Sequence, residues 1–163
     1  MKICIIYHSE TGNTRHVAQH IASAMDAHLV EVTDTVSYNR LTRFLVLCKM
    51  ARGEEKTIIK PASVDISGYE LVVFGSPVWA FKPTPVIHAA IDGLQGCMGK
   101  PAVAFSTHGG RPGQTDQVFK KWIEERGMVP VAITHIHQND IENEKKTKEL
   151  IAVVKASIKA KIF

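Results

Sequence analysis

Short hydroxyl and amide side chains crowd one loop near the start of the chain, His8-Ser9-Glu10-Thr11-Gly12-Asn13-Thr14. A loop that opens a helix offers unpaired backbone N–H groups and the positive end of the helix dipole, which together bind anions. Gly12 would let the backbone curl closely around the bound group. No Gly-Lys-Ser/Thr sequence follows, so the pattern favours a phosphomonoester over a nucleoside triphosphate. The alternative is a helix cap rich in Ser and Thr that holds no ligand.

Two later segments could hold a flat, polar-edged ring. The first is Ser76-Pro77-Val78-Trp79-Ala80-Phe81, part of residues 75–85, which three prolines stiffen. Its two aromatic side chains could stack on a ring or simply cover the edge of the core. The second is Thr107-His108-Gly109-Gly110, where glycines would let backbone N–H groups approach a ligand and His108 could supply a donor or a positive charge. A connecting loop without ligand contacts is the alternative for this second segment.

Apolar runs that alternate with helical patterns must position these segments. The runs predict five strands, over residues 2–7, 28–32, 71–75, 101–106 and 130–136. Helical spacing predicts helices over 13–27, 38–51, 85–92, 115–126 and 141–161. This alternation predicts one α/β domain over residues 1–163, with a doubly wound, five-stranded parallel sheet and helices on both faces. Ligands of such sheets bind at the carboxyl ends of the strands, where all three polar segments lie.

Composition limits the remaining function classes. The 163 residues are 45 % hydrophobic, which is ordinary for a globular protein, and no apolar run approaches the roughly 20 residues that span a bilayer. We therefore expect no membrane insertion. The start of the chain lacks a secretory leader pattern, and three widely spaced cysteines form no disulfide framework, so we expect a cytoplasmic protein.

The net charge of +4 is concentrated at the end of the chain, where residues 141–163 carry six Lys and three Glu. No aromatic residues lie between these lysines, so we interpret them as a solvated helix face and expect no nucleic-acid partner. His135 and His137 alternate on one predicted strand, but no third ligand stands at a metal-binding spacing. The chain also lacks the Gly-x-Gly-x-x-Gly motif of dinucleotide-binding folds.

The three polar segments together resemble the flavodoxin family. Ser-x-Thr-Gly-Asn-Thr after the first strand resembles the phosphate loop of that family, Gly-Ser-Pro-Val-Trp after the third resembles its first ring-flanking loop, and Ser-Thr-His-Gly-Gly after the fourth resembles its second. The resemblance covers nearly the whole chain in order and spacing. It implies a flavodoxin-like fold with strand order 2-1-3-4-5 and one non-covalently bound FMN.

The resemblance also implies a role for each segment. The first would hold the FMN phosphate, and the other two would flank the isoalloxazine ring, with Trp79 as the main stacking residue. The implied cofactor-binding residues are Ser9, Glu10, Thr11, Gly12, Asn13, Thr14, Ser76, Pro77, Val78, Trp79, Ala80, Phe81, Thr107, His108, Gly109 and Gly110. Many carriers of this family flip a glycine peptide beside the reduced ring, whereas this chain has no Gly between Ser76 and Thr84.

Three functions follow as hypotheses. The first is an electron-transfer protein that shuttles electrons between redox partner proteins through FMN. The alternative is an FMN-dependent NAD(P)H:quinone or flavin oxidoreductase, which needs a pocket over the flavin, often at the interface of a homodimer. Residues 34–69, which exceed a simple connection, could build such a pocket. The third is a flavin-free module that binds anions or other proteins on the same scaffold.

Overall fold

A five-stranded parallel sheet is the centre of the computed structural model, which describes residues 2–159 apart from the side chains of Arg40 and Lys159. Residue 1 and residues 160–163 of the predicted domain lie outside the described part, and so do the last two residues of the helix predicted over 141–161. The strands of this sheet are β1 (Ile3–Tyr7), β2 (His28–Glu31), β3 (Leu71–Trp79), β4 (Pro101–His108) and β5 (Val129–His137). Short strands outside it pair Thr33–Asp34 with Ile59–Lys60 and Val64–Asp65 with Leu94–Gln95. The sheet order is β2-β1-β3-β4-β5, so the predicted doubly wound topology is confirmed.

Of five α-helices, four cover the two faces of the sheet and the second lies at its carboxyl edge. The five are α1 (Asn13–Met25), α2 (Arg40–Arg52), α3 (Pro85–Asp92), α4 (Thr115–Glu125) and α5 (Lys145–Lys159). Every residue of β1 is buried, because alternate side chains meet helices on opposite faces. Ile3 and Ile5 pack with α1 and α5, whereas Cys4 and Ile6 pack in the cluster that contains α3 and α4. No helix within residues 2–159 is long and apolar enough to cross a membrane.

The long connection between β2 and β3 is folded against the carboxyl edge of the sheet. Its helix α2 begins at Arg40 rather than at the predicted residue 38, because the side chain of Asn39 caps it by accepting from the N–H of Leu41 at 3.1 Å. Leu47 and Ala51 of α2 pack on Trp79 at the end of β3. The connection therefore places one helix directly beside the segment that was expected to flank a ring.

Strand β3 is longer than the sequence indicated. We expected it to end at residue 75, but it runs to Trp79 and turns back on itself, with Val78 paired to Pro83 and Trp79 to Lys82 in antiparallel fashion. Residues 76–79, predicted as loop, are therefore strand. Pro77 is tolerated there because it lies where the strand leaves the parallel sheet.

Candidate functional site

The loop between β1 and α1 presents unpaired donors. Gly12 caps α1 with φ +98°, a left-handed conformation in which a residue with a side chain would be strained. The N–H groups of Gly12 and Arg15 both donate to Ser9 Oγ at 3.2 Å, which curls the loop over itself. The N–H groups of Asn13 and Thr14 donate to no other group in the described part of the chain. The loop thus has the free donors and the dipole of an anion site.

Arg43 of α2 reaches into this loop. Its guanidinium donates to Glu10 at 2.8 Å through Nε and to Asp34 at 2.8 Å through Nη2. The side chain of Asp34 is only 4 % exposed. The Nε2 atom of His8, which is also buried, lies 3.4 Å from Glu10 Oε2 but outside hydrogen-bond geometry. The His8 ring and the Arg43 guanidinium lower the pKa of Glu10 to about 2.

The loop after β4 is joined to the first loop by a buried hydrogen bond. The hydroxyl oxygens of Thr14 and Thr107 lie 2.8 Å apart, and both side chains are almost fully buried. Beyond Thr107, the N–H groups of Gly109 and Gly110 find no acceptor within residues 2–159, and both residues are exposed. Burial lowers the pKa of His108, and the neighbouring His137 and His135 rings lower it further, although a hydrogen bond to Gly110 opposes them.

The end of β3 differs from the expectation for a stacking loop. Trp79 is 9 % exposed, because α2 covers its indole and Phe44 packs edge-on at 6.1 Å between ring centres. The side chain of Phe81, by contrast, is 61 % exposed at the tip of the turn. Trp79 is therefore largely covered, its role as the main stacking residue stays a prediction, and Phe81 is the more exposed of the two aromatic side chains in this segment.

The turn that carries Phe81 is held in an unusual backbone conformation. Ala80 and Phe81 have φ values of 47° and 66°, both in the left-handed region that glycine or asparagine usually occupies. The carbonyl of Phe81 accepts from the N–H of Gln114 at 2.9 Å. Gly113 packs so closely on this turn that an added Cβ would overlap Phe81. Residues 113 and 114, which follow the third polar segment, thereby hold the Ala80–Phe81 turn of the second segment in place.

Ser76 and Thr84 anchor the base of the same turn. Ser76 Oγ accepts from the N–H of Thr84 at 3.0 Å, and Thr84 Oγ1 caps α3 by accepting from Ile87 at 3.4 Å. Ser76 is fully buried. Its hydroxyl therefore serves the protein itself, and any ligand contact at this position would come from the backbone nearby.

All three predicted segments meet at one edge of the sheet. The Thr14–Thr107 bond joins the first to the third, and the Gln114–Phe81 bond joins the chain that follows the third to the second. Sequence reasoning missed Arg43, which contacts the first loop from 33 residues away without a motif of its own. Its position in the unusually long second connection was the only available signal. Within the described residues, no three His, Cys, Asp or Glu side chains gather in a metal-binding arrangement.

This edge fits a ligand with a phosphate at one end and a flat ring at the other. Free N–H groups at the start of α1 suit the phosphate, and an exposed aromatic side chain and unpaired glycine N–H groups lie at the neighbouring loops. Those features are the ones that FMN requires.

Known structures share this fold. A flavoprotein in complex with FMN from Lactobacillus acidophilus is 23 % identical, with 90 % of this chain and 98 % of that chain covered and a TM-score of 0.68. A WrbA-like flavodoxin from Agrobacterium tumefaciens is 13 % identical over 97 % and 98 % of the two chains, with a TM-score of 0.62. The two-electron reduced flavodoxin of Megasphaera elsdenii is 17 % identical over 93 % and 96 %, with a TM-score of 0.61. No curated protein sequence matches the chain.

A family model provides the more specific evidence. The model described as NADPH-dependent FMN reductase matches residues 1–140, which is most of the chain. This match, together with the donors at the sheet edge, confirms the prediction of FMN as the cofactor. It also favours the oxidoreductase hypothesis over the electron carrier that we put first. The chain belongs to the NADPH-dependent FMN reductase family.

Proposed function

We propose that this protein is an FMN-dependent NAD(P)H oxidoreductase that passes electrons to a flavin or a quinone. The match of residues 1–140 to the reductase family is the observation that carries the proposal. Bound FMN would supply the redox chemistry, accepting hydride from a nicotinamide and returning the electrons to a second substrate. The chain's own residues would bind the flavin, orient it and shape the surface above it.

The first loop would hold the phosphate. The free N–H groups of Asn13 and Thr14 and the dipole of α1 favour a dianion there. Glu10 lies in the same loop, and its carboxylate would repel the phosphate if it were unpaired. Arg43, which also binds Asp34, offsets part of this charge through two hydrogen bonds to Glu10, of 2.8 and 3.2 Å. We therefore assign Arg43 a supporting role in phosphate binding.

An apolar surface flanks the site. Leu41 and Phe44 of α2 are 82 % and 59 % exposed, and the Phe44 ring packs edge-on against Trp79, two residues before Phe81 in the chain. A flat, apolar acceptor would find large hydrophobic side chains here, next to the ring-flanking residues. This surface supports an acceptor of the quinone or flavin class.

The same apolar residues support a homodimer, which we keep as a proposal. Leu45 and Ile58, in the same connection between β2 and β3, are also exposed, at 68 % and 70 %. A second copy of the chain could cover these side chains and complete a pocket over the flavin. Light scattering of the purified protein would give the mass of one chain if the proposal is wrong.

Steady-state turnover tests the proposed activity. Protein reconstituted with FMN should oxidise NADPH continuously when a quinone or excess free FMN is the acceptor. Failure to turn over, combined with rapid electron exchange with a separate reductase protein, would favour the electron carrier instead. A protein that binds no FMN after reconstitution would favour the flavin-free module.

A further inference from the structure

Three histidines gather beside the Gly109–Gly110 segment. His108 ends β4, and its register partner His137 ends β5, with 5.3 Å between their ring centres. His135 lies 6.4 Å from His108. His135 is already occupied, because its two nitrogens bond Ser106 Oγ at 2.7 Å and Asp116 Oδ1. The other two rings turn towards the glycine backbone.

Each of these two rings holds one glycine carbonyl. His137 Nε2 lies 3.1 Å from the carbonyl oxygen of Gly109, and His108 Nδ1 lies 2.8 Å from that of Gly110. A carbonyl oxygen only accepts, so each of these nitrogens carries the proton. The other nitrogen of His137 accepts from the N–H of Asn139 at 3.2 Å. His137 is therefore bonded on both sides as a neutral ring with its proton on Nε2.

Fixing a carbonyl also fixes the N–H of the following residue. The peptide unit is planar and trans, so its N–H points opposite to its carbonyl. With the carbonyls of Gly109 and Gly110 tied to histidines, the N–H groups of Gly110 and Arg111 point away from those rings. Neither N–H finds an acceptor within residues 2–159. Two consecutive, oriented donors of this kind form a site for a polar acceptor.

Without such ties the segment would not hold this shape. Glycine pairs sample many backbone conformations, and ordering them costs free energy when a ligand binds. Both glycines are exposed, and an added Cβ at Gly110 would meet nothing within 4 Å, so packing does not fix that residue. The two imidazole bonds are thus the contacts that pre-organise the backbone.

We propose that His137, acting with His108, is a positioning residue that aims the N–H groups of Gly110 and Arg111 at the polar edge of the flavin ring. This inference rests on the proposed FMN site and adds a residue from β5, outside the three polar segments. His137 contacts only the loop backbone, so its effect on the ligand is indirect.

The experiment compares affinities for FMN and riboflavin, which share the ring but differ in the phosphate. Dissociation constants would be measured by quenching of flavin fluorescence for the wild type, His137→Ala, His137→Gln and the control His28→Ala. His28 is exposed at the start of β2, at the opposite edge of the sheet. Loss of one hydrogen bond should weaken binding by about fivefold in His137→Ala.

We expect His137→Ala to weaken the binding of FMN and of riboflavin by the same factor, because the lost contacts are to the flavin ring that the two ligands share. In His137→Gln, the side-chain amide can still donate to the Gly109 carbonyl, so both affinities should return to within about twofold of the wild type. His28→Ala should change neither affinity.

Several results would overturn the inference. They are unchanged affinity in His137→Ala, a loss confined to FMN, and an equal loss in both the Ala and the Gln variants, which would indicate a merely structural role. A wild-type protein that binds neither flavin would instead refute the proposed function, and the inference with it.

Discussion

The hydroxyl groups of Thr14 and Thr107 meet at 2.8 Å in the interior, joining the first turn of α1 to the end of β4. Thr14 is 1 % exposed and Thr107 is 4 % exposed. One hydroxyl must donate and the other accept, so neither is left unsatisfied. Through this bond the loop that suits a phosphate and the loop that suits a ring edge keep a fixed separation.

Removing one of these hydroxyls should lower the free energy of unfolding by more than removing both. Thr14→Val leaves the Thr107 hydroxyl buried without a partner, and we expect a loss of about 1–3 kcal/mol in the free energy of unfolding. Thr14→Val/Thr107→Val removes both groups and should recover part of that loss. Urea unfolding of the two single variants and the double variant gives the coupling energy. Thr33→Val, an exposed site, is the control. Strictly additive losses would contradict the direct bond.

The Glu10–Arg43 pair should control phosphate affinity. In Arg43→Gln, the Glu10 carboxylate keeps its charge but loses its strongest cation, so we expect FMN to bind about tenfold more weakly. Adding Glu10→Gln removes the repulsion and should restore most of the affinity. Lys121→Gln removes one positive charge on the outer face of α4 and should leave binding unchanged. Equal weakening in the single and double variants would show that Arg43 does not act through Glu10.

Acid should destabilise the protein through the same carboxyl group. The pKa of Glu10 is about 2 in the folded chain against an ordinary 4.5, so the unfolded chain binds more protons between these values. The stabilisation is complete above about pH 5 and is lost as the pH falls towards 2. Because Glu10 is partly exposed, we expect only about 1–2 kcal/mol from this group.

Unfolding by urea at several pH values between 2 and 7 measures this loss. As the pH falls, the free energy of unfolding should decline less steeply in Glu10→Gln than in the wild type. The exposed control Glu125→Gln should decline as the wild type does. Glu54, whose pKa is lowered to about 2 by Lys121 and Lys82, contributes separately in the same range. Identical pH curves for the wild type and Glu10→Gln would contradict the role assigned to Glu10.

The Ala80–Phe81 turn should be stabilised by glycine. Ala80 has φ 47°, where the Cβ of an L-residue is strained, so Ala80→Gly should raise the free energy of unfolding by about 0.5–1 kcal/mol. Ala89→Gly in α3 should do the opposite, because glycine weakens a helix interior by about 1 kcal/mol. Thermal unfolding of the two variants provides the comparison. A destabilised Ala80→Gly variant would show that the turn does not carry this strain.

The core strands were predictable because their apolar runs are continuous. Ile3–Tyr7 is buried on both faces, so five consecutive apolar or aromatic residues indicate it without knowledge of its neighbours. The first polar segment could also be predicted as an anion-binding loop, since Gly12 and the hydroxyl residues around it are adjacent in sequence. Features whose contacts join residues close in sequence could therefore be predicted from the sequence alone.

The remaining features depend on contacts between distant residues. Three prolines made residues 76–85 look like a loop, but antiparallel pairing of Val78 with Pro83 extends the strand. The tight turn at Ala80 and Phe81 lacks the Asn-Gly pattern that would predict it from the sequence. The burial of Trp79 follows from the packing of α2, and the bond of His137 to Gly109 spans 28 residues. None of these has a local pattern.

Anaerobic reduction of the bound flavin by NADPH would show whether this protein is itself the reductase. The FMN-loaded protein would be mixed rapidly with NADPH or NADH while the visible absorbance of the oxidised flavin is followed. If the protein is a reductase, the absorbance should disappear as one equivalent of nicotinamide is oxidised, with no other protein present. Flavin that stays oxidised with either nucleotide, yet is reduced at once by a separate reductase protein, would contradict the proposed reductase activity.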